Sequence, residues 1–161
     1  ISAVDLLKGI AVGAGMTNIQ VEGANGQLHT NYEGKAQAAA DALLKDGFDF
    51  VYVHVEAPDE MGHQGSVERK VQSVEYLDQR LIRPLKEALD ASGEAYRMMV
   101  LPDHPTPIRV RTHTADPVPF LLYDSRRTYG GPDVYSEKAA REGGLKVARG
   151  CELMDRLFEK S

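Results

Sequence analysis

The sequence has little cysteine, no tryptophan and no long apolar run. Its single cysteine, Cys151, excludes a disulfide within the chain and favours a reducing compartment such as the cytoplasm. No segment reaches the roughly 20 apolar residues that a membrane helix needs. Lysine and arginine form no cluster that would hold a phosphate backbone, and the net charge is −5. These absences argue against a membrane or nucleic-acid partner.

The residues that are present predict one soluble domain over positions 1–161. Hydrophobic side chains make up 42% of the chain and charged ones 27%, which is enough apolar material to bury a core. The chain enters a helical pattern directly after Ile1, without an initiator methionine. We therefore expect a piece of a longer protein, in which a site can be only partly present. The sequence does not indicate an oligomeric state.

Strand-like and helix-like patterns alternate along the chain. Residues 48–55 are β-branched and aromatic, which predicts a central parallel strand buried on both faces. Residues 96–101 and 118–123 predict two more strands. Strands separated by long helices predict an α/β fold, a three-layer α/β/α sandwich with a mainly parallel sheet. In such sheets, ligands bind at the carboxyl ends of the strands.

Helical periodicity and capping residues mark the helices. A first helix follows Ser2 and Asp5, which have capping-box spacing, and an alanine-rich helix covers residues 33–45. A long amphipathic helix runs over residues 66–89, with a kink expected at Pro84 and a stop at Gly93. Ser136 is expected to cap a short helix, and residues 151–160 predict a terminal one.

Polar side chains follow the first two predicted strands and precede the third. Asp59 and His63 are four residues apart and share one face if their loop makes a helical turn. Asp103 and His104 are adjacent, so they serve one metal only through a bend, or divide between two metals. His113 supplies an imidazole from a third loop. The three segments together predict a site for divalent metal.

The ligand types indicate which ions and which chemistry to expect. Mixed carboxylate and imidazole ligands suit Mn²⁺ or Zn²⁺, whereas Ca²⁺ prefers oxygen alone and structural zinc usually draws on cysteine. Two such ions about 3.5–4 Å apart clamp the attacking and leaving oxygens of a phosphoryl transfer. A metal-dependent hydrolase or transferase follows from this reading.

Ordinary structural roles compete with the functional ones. A lone Asp or His in a loop is usually solvated or hydrogen-bonded to backbone, but three such segments in a chain with five histidines favour a shared site. We expect His54 to be a core histidine or to support a ligand, and His29 to lie on the surface. Glu56 can orient a ligand, although a plain solvated or hydrogen-bonded carboxylate is the commoner case. Cys151 is interpreted as a packing residue.

Three cationic side chains are candidates for binding an anionic substrate: Lys8, Arg109 and Arg111. Arginine forms bidentate pairs with phosphate and carboxylate groups, which makes the two arginines suitable. Lys8 lies in the first predicted helix, where a solvent-facing lysine is the simpler interpretation. No side chain of the chain is assigned as a nucleophile.

These segments resemble a known family. Residues 51–65 (VYVHVEAPDEMGHQG), 100–107 (VLPDHPTP) and 111–120 (RTHTADPVPF) are similar to the archaeal-type cofactor-independent phosphoglycerate mutases of the alkaline phosphatase superfamily. Residues 1–9, 22–26 and 30–36 share the likeness, which therefore extends over nearly the whole chain.

The resemblance implies a fold, two metals and a reaction. One divalent ion is expected on Asp59, His63 and His113, and a second on Asp103 and His104. The second ion also takes an Asp and a nucleophilic Ser from the start of the full-length protein, which this chain lacks along with an inserted substrate-binding domain. Mn²⁺ is expected, with Zn²⁺, Mg²⁺ or Co²⁺ as options. The Ser would move the phosphoryl group of phosphoglycerate between two positions through a phosphoserine, a step of cytoplasmic glycolysis. This chain alone is then expected to be inactive.

Two alternatives stay open on the sequence. A homoserine-kinase-like phosphotransferase or a phosphatase of the same superfamily would share every metal ligand named above. A non-catalytic domain with one structural metal site, or none, is the alternative from a different class. Substrate assays separate the first alternative, and the number and exchangeability of bound ions separate the second.

Overall fold

The computed structural model describes residues 1–127, 130–143 and 145–158. The chain forms two compact units, of which the first comprises Ile1–Gly93 with Thr106–His113 and the second Glu94–Pro105 with Thr114–Ser161. Helices and a small sheet are both present, so the α/β class is confirmed. The single domain predicted for residues 1–161 stays a prediction. No helix in the described ranges has the length and apolar character needed to cross a bilayer.

The first unit is helical. Asn31 accepts a hydrogen bond from the Gly34 amide at 2.9 Å and caps the alanine-rich helix, which begins within one residue of its predicted start. The predicted capping box is wrong, because the first helix begins after Val4 and the Ser2 hydroxyl accepts from the Val4 amide at 3.0 Å instead. The helices are α1 (Asp5–Gly13), α2 (Tyr32–Leu44), α3 (Ala57–His63), α4 (Val67–Leu77) and α5 (Arg83–Ser92).

The long predicted helix is broken at its proline. A π-helical turn, Asp78–Ile82, joins α4 to α5, and Pro84 is the second residue of α5. Proline has no N–H and its ring would clash with the carbonyl four residues earlier, that of Arg80, so a wider turn relieves both problems. The predicted kink thus takes the form of a π-turn. Gly93 ends α5 with φ of +75°, a left-handed conformation that glycine adopts without strain.

Residues 48–55 do not form the predicted central strand. The segment is extended, and two of its bonds join it to Ile1: the Ile1 amino group donates to Tyr52 O at 2.8 Å, and the His54 amide donates to Ile1 O at 3.0 Å. One residue that bonds to both neighbours of its opposite residue shows the parallel pattern. A ladder requires neighbouring strands in register, which composition alone does not supply.

The core of the first unit fixes the start of α3. Tyr32 and Ala36 of α2 pack with Ala57 of α3 and Leu81 of the π-turn, and all four are buried. Burying a large apolar side chain contributes about 1.5–3 kcal/mol, so Tyr32 and Leu81 anchor this contact. The buried stripe predicted along α4 is only partly confirmed, since Val67, Val71 and Val74 are exposed. Ala57 holds the N-terminus of α3 in place.

The second unit contains the sheet. Strands β1 (Arg97–Val100) and β2 (Leu121–Asp124) pair antiparallel, with Arg97 opposite Asp124. The mainly parallel sheet predicted from the sequence is therefore not what the described residues form. Parallel pairing needs a crossover, usually a helix, and residues 101–120 contain no helix. Helices α6 (Glu137–Glu142), capped by Ser136 as predicted, and α7 (Glu152–Phe158) complete this unit.

A buried carboxylate holds the sheet together. Asp124 accepts hydrogen bonds from Arg126 Nη2 at 2.8 Å, Arg126 Nε at 2.9 Å and Arg97 Nε at 2.8 Å. These bonds, that of Arg126 above all, keep the pKa of Asp124 far below its usual value. Arg97 also donates to the Leu157 carbonyl at 3.1 Å, which ties β1 to the end of α7.

Candidate metal centre

Helix α3 places two ligands on one face. Pro58 lies in its first turn, where the missing N–H has no helical partner to lose, and Asp59 follows in the same turn. Acidic residues in the first turn complement the positive end of the helix dipole. His63 lies in the last turn, where the negative end of the dipole favours a basic side chain. The four-residue spacing then brings Asp59 Oδ2 within 3.3 Å of His63 Nε2. The predicted helical turn is confirmed.

The loop after Thr106 supplies the third candidate ligand. His113 Nε2 lies 3.2 Å from His63 Nε2 and 3.4 Å from Asp59 Oδ1. All three ligand atoms fall within 4.8 Å of one another, in the first unit of the chain. The structure thus brings together three of the five predicted ligands.

The geometry of this group fits a divalent cation. Ligands about 2.0–2.2 Å from an ion lie roughly 3.0–3.5 Å from each other in octahedral or tetrahedral coordination, which matches the observed separations. Two imidazole nitrogens and one carboxylate suit Mn²⁺ or Zn²⁺. Each ligand side chain is about a third to a half exposed, so further coordination positions face solvent.

A backbone carbonyl sets the orientation of His63. Its Nδ1 lies 3.0 Å from Arg111 O, and since a carbonyl can only accept, Nδ1 carries the proton. In the neutral ring Nε2 is then the unprotonated nitrogen, and it faces Asp59 and His113, as a metal ligand requires. Arg111 has φ of +59°, a conformation that a non-glycine residue rarely adopts and that is common at functional sites.

One residue at the centre escaped the sequence analysis. Thr106 is buried, and its hydroxyl donates a hydrogen bond to Asp59 Oδ1. Its own carbonyl accepts a bond of 2.6 Å from Lys70 Nζ of α4. A threonine between two prolines carries no sequence signal for such a contact, because the partner is 47 residues away.

A buried ion pair lies just before α3. Lys35 Nζ donates to His54 O at 2.8 Å and to Glu56 Oε2 at 3.4 Å, and the lysine is fully buried. Burial lowers the pKa of Lys35. Burial alone would raise the pKa of Glu56, but bonding from His54 and the charge of Lys35 lower it overall. Glu56 is thus a buried, hydrogen-bonded carboxylate.

One feature of the sequence indicates that Lys35 lies on a buried face. It lies three residues after Tyr32 and four before Ala39, on the same buried face of α2. His29 is exposed, as predicted. His54 is partly buried and contacts Glu56, and its role as a core or supporting histidine stays a prediction. Cys151 is exposed, so its predicted packing role is wrong. Helix α7 buries Leu153 instead.

Asp103 and His104 belong to the second unit. Asp103 Oδ1 accepts from the His104 amide at 3.1 Å and lies 3.5 Å from His104 Nε2. The one group of three candidate ligands found among the described residues does not include them. Their role at a second metal stays a prediction.

The three candidate substrate cations are placed differently. Lys8 pairs with Asp5 of its own helix at 3.1 Å. Arg109 and Arg111 are exposed. The Arg111 guanidinium lies against Gly65, where an added Cβ would be 2.8 Å from Arg111 Cζ. It is thus held beside the end of α3, and its substrate role, like those of Lys8 and Arg109, stays a prediction.

Comparison with known proteins gives the family of the chain. Residues 1–160 match the family model of the metalloenzyme superfamily. The chain belongs to the metalloenzyme superfamily. The superfamily match and the group of Asp59, His63 and His113 both point to the use of a divalent metal, and the role of these three residues as its ligands stays a prediction.

Individual relatives with known names give a more specific resemblance than the superfamily does. The chain is 49% identical over 154 residues to the 2,3-bisphosphoglycerate-independent phosphoglycerate mutase of Methanothrix thermoacetophila, covering 96% of the chain and 39% of that protein. It is 47% identical over 161 residues to the probable enzyme of Geobacter sulfurreducens, covering 99% of the chain and 40% of that protein. The predicted resemblance to the archaeal-type mutases is confirmed.

A solved structure agrees as well. The PH0037 protein of Pyrococcus horikoshii superposes with a TM-score of 0.85 and 31% sequence identity, over 99% of this chain and 47% of that one. The chain spans about two fifths of the length of the curated relatives named above.

Proposed function

We propose that this chain is the metal-binding part of a 2,3-bisphosphoglycerate-independent phosphoglycerate mutase, which interconverts 3-phosphoglycerate and 2-phosphoglycerate through a phosphoserine. The convergence of Asp59, His63 and His113 carries the proposal, because helix α3 and a loop about 50 positions later meet in one group. The relatives that bear this name, at 47–49% identity, support the reaction. The cytoplasmic location stays an expectation.

A cation held by the three ligands would bind the negatively charged oxygens of a phosphoryl group. A divalent cation held there supplies positive charge where negative charge develops on the phosphoryl oxygens. The chain's own residues orient that site: Arg111 O holds the His63 ring, and the Thr106 hydroxyl holds Asp59. His113 is the most exposed ligand, so the substrate approaches from its side.

The remaining parts of the mechanism lie partly outside this chain. Asp103 and His104 would bind a second ion, together with an Asp and the nucleophilic Ser of the longer protein. Mn²⁺ is the proposed metal at both positions. In that protein, residues 48–55 would become a paired strand of the three-layer sandwich, consistent with the parallel bonding to Ile1. The chain by itself should not turn over 3-phosphoglycerate.

Arginine would hold the anionic substrate. The Arg111 guanidinium lies beside the end of α3, where phosphate or carboxylate oxygens can take two hydrogen bonds from it. Arg109 is exposed two residues earlier, and Lys8 is the weaker candidate because Asp5 already pairs with it. The expected partner is a small phosphorylated molecule.

A Mn²⁺ titration by calorimetry tests the metal centre. The unaltered chain should bind Mn²⁺ reversibly, and His113→Ala should lose most of the affinity because one of three ligands is gone. His29→Ala is the control. It removes an exposed histidine from the loop before α2, and it should bind Mn²⁺ with unchanged affinity. Equal binding by the chain and His113→Ala would remove the basis of the proposal.

The choice of substrate needs the longer protein. Turnover of 3-phosphoglycerate without added nucleotide supports the mutase, whereas activity only with homoserine and a nucleotide supports the kinase-like alternative. Hydrolysis of phosphate esters alone supports a phosphatase. Detectable mutase activity in the 161-residue chain would contradict the assignment of the nucleophile to a missing part.

A further inference from the structure

The Asp59 carboxylate has two oxygens with different surroundings. Oδ2 faces His63 Nε2 at 3.3 Å, and Oδ1 accepts the Thr106 hydroxyl bond and lies 3.4 Å from His113 Nε2. A carboxylate that swings about its side-chain torsions does not present a fixed ligand atom. The Thr106 bond restricts that rotation.

Thr106 is itself held on two sides. It is 4% exposed, and its carbonyl accepts the 2.6 Å bond from Lys70 Nζ, a side chain of the neighbouring helix α4. Lys70 is partly buried, and moving it away from the Thr106 carbonyl would break a charge-assisted hydrogen bond. The threonine therefore acts from a rigid support.

Gly62 allows this close approach. A Cβ at position 62 would lie 2.5 Å from Thr106 O, 2.9 Å from Lys70 Nζ and 3.0 Å from Thr106 Cγ2. Such distances are too short for real contacts, so any side chain at position 62 would displace residue 106 from α3. Helix α3, helix α4 and the loop that contains Thr106 therefore meet next to the Asp59 side chain.

We propose that Thr106 is a positioning residue, supported by Lys70, that holds the Asp59 carboxylate in the orientation required for metal binding. The inference rests on the metal centre proposed above. Residues that hydrogen-bond to a metal ligand typically change metal affinity about 10–100-fold when they are replaced. Thr106 is expected to fall in that range.

Thr106→Val tests the role of the hydroxyl, since valine keeps the branched shape and loses the donor. Mn²⁺ calorimetry should show affinity about 10–100-fold weaker in Thr106→Val and close to normal in Thr106→Ser, which restores the hydroxyl. The Co²⁺ absorption spectrum reports the ligand geometry and should change in the valine variant alone.

Thr30→Val is the matched control. Thr30 is equally buried in the same unit, but its hydroxyl accepts from the Asn25 amide at 3.0 Å and contacts no ligand. It should lose stability without losing Mn²⁺ affinity. Normal Mn²⁺ affinity and an unchanged Co²⁺ spectrum in Thr106→Val would overturn this inference alone. Failure of the unaltered chain to bind Mn²⁺ would overturn it together with the metal centre.

Discussion

The Nε2 atoms of His63 and His113 lie 3.2 Å apart, although 50 positions separate the two residues in the chain. His63 Nδ1 faces the Arg111 carbonyl, so in the neutral ring the Nε2 atom that faces His113 is the one with the lone pair. Together with Asp59, these nitrogens have the separations expected of ligands around one divalent cation.

The backbone of Arg111, rather than its side chain, should matter for the metal. Arg111→Gly keeps the carbonyl that holds His63 and suits the positive φ of +59°. We expect Mn²⁺ affinity within about threefold of normal by calorimetry, and weaker binding of 3-phosphoglycerate to the Mn²⁺-loaded chain. A large loss of Mn²⁺ affinity would show that the guanidinium acts on the metal centre itself.

Gly62→Ala should damage the fold and the metal centre together. The added methyl group would lie 2.5 Å from Thr106 O, and overpacking of this kind costs about 1–3 kcal/mol. Urea unfolding gives the stability, and Mn²⁺ calorimetry should show weaker binding.

The control for that substitution is Gly9→Ala in α1, where nothing lies within 4 Å of the new methyl group. It should be neutral or stabilising by about 0.5–1 kcal/mol. A Gly62→Ala protein as stable as the unaltered chain would contradict the close packing described at Thr106.

Removing Lys35 should be costly, because it leaves Glu56 as a buried charge without its cation. We expect Lys35→Met to lower the free energy of unfolding by about 3–5 kcal/mol, measured by urea denaturation. The double variant Lys35→Met with Glu56→Gln should recover part of the loss, since no unpaired charge remains.

Lys45→Met is the matched control, because Lys45 pairs with Asp41 on the exposed side of the end of the same helix. Surface pairs contribute about 0–1 kcal/mol, so this change should be small. Similar losses in the two methionine variants would mean that the burial of Lys35 does not determine its contribution.

The Asp124 network should make stability depend on acid pH. The pKa of Asp124 is lowered in the folded chain, so its contribution is fully present above the unfolded value near 3.8. As the pH falls below that value the unfolded chain takes up the proton first, and the contribution declines. The stability difference between the unaltered chain and Asp124→Asn should therefore shrink from pH 7 to pH 3. A difference that grows toward low pH would contradict the network.

Local patterns predicted most helices within one or two residues. Helix α2 and the Ser136 cap depend on side chains a few positions away, and Gly93 ends α5 through its own backbone freedom. The predicted capping box at Ser2 is wrong, because the Ser2 hydroxyl bonds to the Val4 amide and lies 3.3 Å from His54 Nδ1, a residue 52 positions away. Local patterns did not predict the strand pairing either, because a ladder is made by distant residues.

The amino-acid sequence is therefore sufficient to predict the helical segments, the ligand types and the spacing of Asp59 and His63. These features depend on local hydrogen bonds and helical geometry. Tertiary packing brings His113 to them and places Thr106 against Asp59, and each of these contacts joins residues about 50 positions apart. It also decided the burial of Lys35 and the direction of the sheet, since chain packing alone determines which groups lose water and which strands become neighbours.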